Sequence, residues 1–222
     1  MPHAVPCRIV QVRPLAIAGA WEFTPVQHRD DRGVFLEWYR ADAVAEAVGH
    51  PLRLAQANSS VSARGTVRGV HFADVPPSQA KYVYCPAGAV LDVVVDIRVG
   101  SPTFGLFDMV RLDPVDRRAV YLAEGLGHAF VAIEDGSILT YLCSTGYAPH
   151  REHGITPLDP ALALPWPDDV EPRLSGKDRA APTLAAARGQ GLLPSYRDCL
   201  AYYSELDRAE MDRAELDRRS GQ

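Results

Sequence analysis

The chain has 222 residues, 47% of them hydrophobic, and a net charge of -5 with both signs interspersed. It is long enough to bury a sizeable core, too apolar for disorder, and lacks the basic patch that nucleic-acid binding calls for. Four cysteines, Cys7, Cys85, Cys143 and Cys199, form no Cys-x-x-Cys pair and fit no zinc spacing, so a reduced, cytosolic setting is expected.

Residues 1–20 are punctuated by proline, with an opening strand expected around 7–12. The apolar run 15–21 is short for a signal sequence, is entered through Pro14 and is followed by Glu22, which argues against a signal peptide. No run approaches the roughly 20 apolar residues of a membrane span. Asp30-Asp31-Arg32-Gly33 followed by Val-Phe-Leu-Glu-Trp-Tyr reads as a turn feeding a strand. Residues 42–48 read as a short helix capped by Asp42 and closed by Gly49 and Pro51.

A strand is expected over 52–60, a turn over 62–65 and a strand over 67–72. Short β-branched and aromatic segments follow at 81–85, 89–97, 104–112, 119–122, 129–133 and 138–142. Turns separate them at intervals of about ten residues, the rhythm of a sandwich or barrel rather than of βαβ units. Asp92 and Asp96, four apart on one strand, suggest that one face is wetter than the other. Gly125-Leu-Gly127 is a turn. Beyond Pro149 the chain is loop-rich and then helical at 182–191 and 194–206. Residues 205–219 form a charged segment with a rough five-residue repeat, read as a solvated helix.

The chemistry concentrates in residues 56–81. Arg68-Gly69-Val70-His71 lies on an expected strand, and Lys81 follows ten residues after the histidine. A histidine that takes a proton and a lysine that steadies a negative oxygen are two parts needed to enolise a ketone. On these residues alone a structural histidine is the commoner case. Arg32 could equally be a turn residue answering Asp30 or Asp31. Lys81 could be a strand-edge charge, Tyr141 a core aromatic, Asp178 a helix cap and His128 a satisfied core histidine.

Six fragments, DDRGVFLE, QANSSVSARGTVRGVHF, KYVYCPAGAVLDVVVDIRVGSPTFG, GLGHAF, LTYLCSTGYAP and LSGKD, occur in the order and nearly the spacing of one family. The chain resembles the dTDP-4-dehydrorhamnose 3,5-epimerases over roughly residues 20–185. The resemblance implies an all-β, cupin-type jelly-roll β-sandwich with a few short helices, mostly C-terminal. It divides the chain into a jelly-roll epimerase domain, 1–185, and a helical, charged extension, 186–222. It implies a homodimer in which N-terminal residues of one subunit complete the other's site, and an isomerase that needs no metal or organic cofactor. The implied partner is a dTDP-4-keto-6-deoxy sugar, inverted at C3, C5 or both, with neither nucleic acid nor membrane involved.

Carried over by position, His71 is the base and Asp178 its carboxylate partner, with Asp159 the competing carboxylate. Lys81 stabilises the enolate and Tyr141 is the acid on the opposite face. Arg32, Arg68 and Lys177 are the cations a diphosphate calls for. Glu37, Gln56 and Asn58 match positions that hydrogen-bond the nucleotide or sugar, Tyr147 one that could stack on thymine, and His128 and Glu152 further ligand contacts. The chain departs from the family's usual pattern at Ala73, often Gln, and Leu142, often Lys. These departures resemble the epimerases of antibiotic deoxysugar pathways and leave open which carbon is inverted. Two other classes compete. A metal-dependent dioxygenase on the same fold needs His-x-His, but Phe72 and Ala73 follow His71. A non-catalytic sugar-nucleotide-binding protein would not need His71, Lys81 and Tyr141 together.

Overall fold

The structure, a computed structural model, describes residues 10–220. The expected opening strand falls partly outside the described residues, within which β1 spans Val10–Pro14. It is followed by β2 (Ala20–Pro25), the hairpin β3 (His28–Asp30) and β4 (Gly33–Phe35), α1 (Ala41–Val48) and β5 (Gln56–Ser62). Then come β6 (Val67–Ala73), β7 (Lys81–Ala87), β8 (Val90–Val95), β9 (Phe107–Leu112), β10 (Ala119–Leu122), β11 (Gly127–Ala132), β12 (Ser137–Cys143) and β13 (Glu152–Gly154). Three helices close the chain: α2 (Gly176–Ala180), α3 (Leu184–Gly189) and α4 (Tyr196–Ser220).

The strands form a six-stranded sheet, β1-β2-β10-β7-β12-β5, and a five-stranded sheet, β13-β6-β11-β8-β9. Neighbours with non-consecutive numbers, such as β2-β10-β7 and β6-β11-β8, give the expected jelly roll. Val83, Val120, Leu122 and Leu139 of the larger sheet share one buried cluster with Val90, Val94, Val110, Leu112 and Phe130 of the smaller. The sheets therefore face each other across a common core. Fully burying each such side chain is worth about 1.5–3 kcal/mol.

Each outer face is covered as well. Trp38 stacks on Tyr84 at 5.1 Å between ring centres, and the Tyr82 hydroxyl donates to the Trp38 carbonyl at 2.8 Å. On the other sheet Val70, Phe72, Val93 and Val95 pack with Leu184 and Ala187 of α3. The first turns of α4 are pinned to the end of β8. Arg98 pairs with Asp96 at 2.7 Å, lies 5.0 Å over the Tyr196 ring and reaches the Tyr203 hydroxyl. Burial would raise the Asp96 carboxyl, but Arg98, Ser101 and Thr103 together hold it below its ordinary value.

Several expectations change. Both Asp92 and Asp96 are buried, so neither face of β8 is wet at these positions; each carboxylate has a buried partner instead. Asp42 does not cap α1. Arg40, in extended conformation, occupies the N-cap, and Asp42 sits in the first turn paired with it. Gly49, at φ 103°, ends the helix as expected. The strand expected from residue 52 begins at Gln56, because Leu52 packs into the core and backbone pairing to β12 starts only with the Ala55 amide. Neither β2 nor β13 was expected as a strand.

Candidate active site between the two sheets

Side chains directly opposite in an antiparallel pair share a face, so register decides what lines the space between the sheets. Lys81 lies opposite Cys143, and Tyr141 opposite both Val83 and Asn58. Val83 is core, so Lys81, Tyr141, Cys143, Asn58 and Gln56 all point inward from the larger sheet. From the smaller sheet His71 lies opposite His128 and Gly154, Ala73 opposite Glu152, and Phe130 opposite Asp92. Phe130 is core, so these face inward too. A cleft of about 260 Å³ opens there, lined by His71, Phe72, Ala73, Gln79, Lys81, Leu126 and Glu152.

Strict alternation would put Arg68 and His71 on opposite faces. The β6–β11 register instead sets three steps of β6, Arg68 to His71, against two of β11, Phe130 to His128. This bulge brings both onto the inner face and re-aims the histidine. It needs Gly69. Its φ is +125°, and a Cβ there would meet the His128 carbonyl oxygen at 2.5 Å and Ala129 at 2.6 Å. We expect Gly69→Ala to cost about 3 kcal/mol or more, from backbone strain and overpacking of ~1–3 kcal/mol each. The melting temperature should fall by roughly 6–12 °C. A thermal melt within 2 °C of the parent, taken as roughly the effect of 1 kcal/mol or less, would contradict this reading.

His71 Nε2–H donates to Asp178 Oδ1 at 2.6 Å, which leaves Nδ1 as the free basic nitrogen. Asp159 is not its partner; that carboxylate accepts from the Leu184 and Ala161 amides. Ser175, not Asp178, caps α2, and its hydroxyl accepts from the Asp178 amide. Burial would raise the Asp178 carboxyl, yet the His71 hydrogen bond and charge, with Ser175 and Lys177, hold it below its ordinary value. Burial lowers the Lys81 ammonium from its ordinary value, against the pull of Cys143, Glu152 and Asp92. It raises the Tyr141 phenol, which therefore stays protonated at neutral pH.

His128, beside His71, donates from Nε2 to Asp92 Oδ1 at 2.6 Å, both side chains being buried. Asp92 was not among the candidates, although a charge inside the run VLDVVVDIR marks it. Gln56 donates to Asn58 at 2.7 Å and accepts from the Tyr147 amide, tying the Tyr147 loop to the cleft's rim. Arg68 donates to Ser62 Oγ. Glu152 Oε1 accepts from the Ala148 amide. Arg32 and Glu37 lie outside the cleft lining. Arg32, with 86% of its side chain exposed, pairs with Asp30 in the β3–β4 hairpin, and Glu37 pairs with Arg40. Tyr147 is 64% exposed, and Lys177 is exposed on α2. Of the two departures only Ala73 touches the cleft. Leu142 lies opposite Tyr82, on the other face of the sheet, so it forms no part of the wall.

The family model described as dTDP-4-dehydrorhamnose 3,5-epimerase matches residues 14–186. The chain belongs to the dTDP-4-dehydrorhamnose 3,5-epimerase family. It is therefore an isomerase. It is 61% identical over 192 residues to the dTDP-4-dehydrorhamnose 3-epimerase of Streptomyces niveus, covering 86% of this chain and 92% of that one. It is 57% identical over 196 residues to the dTDP-4-dehydrorhamnose 3,5-epimerase of Mycolicibacterium smegmatis, covering 88% and 96%. Among solved structures it resembles a 4-keto-6-deoxy sugar epimerase from the novobiocin biosynthetic gene cluster of Streptomyces spheroides, with a TM-score of 0.84 at 61% identity. That likeness covers 86% of this chain and 95% of the other. The rmlC epimerase of Mycobacterium tuberculosis aligns with a TM-score of 0.87 at 50% identity, covering 88% and 99%.

Proposed function

We propose that the chain epimerises a dTDP-4-keto-6-deoxyhexose at C3, C5 or both, through the enolate formed next to the C4 ketone. The observation that carries this is the His71–Asp178 pair, at 2.6 Å, on one sheet facing Lys81 and Tyr141 on the other. A ketone acidifies its neighbouring C–H bonds. His71 removes the proton, and Asp178 orients the ring and supports the imidazolium that forms. Lys81 holds the enolate oxygen, an interaction stronger in the transition state than in the ketone. Tyr141 returns a proton from the opposite side. Packed sheets stand about 10 Å apart, so a sugar ring between them meets the base on one face and the acid on the other. Inversion requires that arrangement.

Arg68 and Lys177 take the diphosphate. Gln56, Asn58, Tyr147, His128 and Glu152 position the nucleotide and sugar. Arg32 and Glu37 lie on the far side of an exposed hairpin, which supports a homodimer whose partner subunit receives them. No cofactor is required, because two acid–base groups and one cation complete the cycle. Residues 1–185 carry this chemistry, and the helical stretch 186–222 is an extension packed onto them. We place the enzyme in the cytoplasm, where the free, buried Cys85, Cys143 and Cys199 stay reduced. No helix among the described residues is long and apolar enough to cross a membrane. The pathway is of the antibiotic deoxysugar type. Inversion at C3 alone is a narrower reading, favoured by the name of the 61% identical Streptomyces niveus relative.

Incubation with dTDP-4-keto-6-deoxyglucose, followed by reduction of the ketone and analysis of the sugar, should yield a C3 or C5 epimer. Recovery of the starting configuration at both carbons, with this sugar and with its 2-deoxy analogue, would sink the proposal.

A further inference from the structure

A second cavity lies on the other side of the strand ends that carry Lys81. It is bounded by the loop after α1, the ends of β7 and β10, and α4, and encloses about 540 Å³ including its open mouth. Two of its lining groups are buried without a partner. Glu124 is 2% exposed and its Oε2 has no hydrogen bond; Tyr121 is 0% exposed and its hydroxyl has none. A buried carboxylate oxygen left unpaired costs several kcal/mol in principle, of order ~1–3 kcal/mol or more. The other oxygen, Oε1, accepts from Ser144, so the carboxylate is held in place with its free edge turned to the cavity.

We propose that this cavity binds a small organic ammonium ion, with the charged nitrogen at Glu124 Oε2 and the Tyr121 hydroxyl. The sign follows from the surrounding charges. Arg53 is the one cation among the lining residues, and it is committed to Glu210 at 3.4 Å. Just behind the wall Asp207 Oδ1 is also buried without a partner. The site is therefore short of positive charge and of hydrogen-bond donors, and a protonated amine supplies both. The rings of Tyr121 and Tyr202 offer faces to a cation, while Leu52 and Leu206 accept an alkyl chain. A bare metal ion fits worse, since among the described residues no three His, Cys, Asp or Glu side chains are grouped to hold one. Burial pushes the Glu124 carboxyl above its ordinary value, a cost that a cation at Oε2 would offset. Ala80 lines this cavity and Lys81 the catalytic cleft, so an occupant would press on the strand that positions the enolate-binding cation.

The test is calorimetric titration and thermal melting of the full chain with n-propylammonium chloride. Controls are 1-propanol and sodium chloride at matched ionic strength. Saturable binding of one amine per chain is expected, with a melting temperature raised by about 3 °C or more at saturation. Propanol and sodium chloride should give neither. Glu124→Gln should weaken the amine at least tenfold, and Leu206→Trp, which fills the cavity from α4, should abolish binding. If Glu124→Gln does not fold, the Leu206→Trp and propanol comparisons decide. Equal stabilisation by propanol, no saturable effect of the amine, or undiminished binding in Leu206→Trp would overturn the proposal.

Discussion

His71→Ala should lower kcat by about 10³-fold or more while leaving KM for the sugar nucleotide within a few-fold, since positioned acid–base groups contribute ~10²–10⁴. The imidazole is the one basic nitrogen facing the cleft with a buried carboxylate behind it. Asp178, 6% exposed at its side chain, cannot replace it as base because it sits on the far side of the ring. The loss therefore falls on chemistry and not on binding. A structural penalty accompanies it, because Asp178 is left buried with one partner fewer. That carboxyl's value, now held down, climbs back. The stability the lowered value confers is present above its unfolded value near 3.8 and is lost as pH falls through the folded value. The variant should therefore lose stability at neutral pH relative to the parent, and the two should converge below that range. Single-turnover kinetics with melts at pH 7 and pH 3 separate the two effects. A variant retaining a tenth of parental kcat would remove His71 from the role of base, since the loss would fall short of the ~10² minimum for such a group.

Tyr141→Phe should separate the two halves of the reaction. Proton abstraction by His71 and stabilisation by Lys81 remain, so the substrate's α-proton should still exchange with heavy water. Return of a proton to the opposite face fails, and product formation should fall by about 10²–10³-fold. The phenol lies two residues along β12 from the position opposite Lys81, about 7 Å by strand geometry. A ring held between the sheets can meet both. Burial keeps the phenol protonated, which suits a donor. Loss of exchange together with product would assign Tyr141 a different task, such as fixing the substrate before deprotonation.

Most strands could be read from the sequence because their apolar runs are long and flanked by turns. The segment expected at 119–122 is β10 itself. β13 escaped notice because Glu152-His-Gly carries no apolar pattern; it exists only by pairing with β6. β2 was obscured by the prolines around it. Asp92 and Asp96 misled because spacing shows which residues share a face but not what faces them. The His71–Asp178 contact spans 107 residues, and no local pattern could join them; only the resemblance did. The Arg68-Gly69-Val70-His71 motif shows the limit best. The sequence displays the glycine, but only the register shift explains why three steps bring both charged ends to one face. The same holds for Leu142, a departure in sequence that the pleat turns away from the cleft.

The most direct measurement is turnover of dTDP-4-keto-6-deoxyglucose in heavy water with deuterium located by NMR. The account predicts solvent deuterium at C3, at C5 or at both, and only at carbons whose configuration inverts or exchanges beside the ketone. Epimerised product carrying no deuterium at either carbon would contradict deprotonation by His71 and with it the central claim.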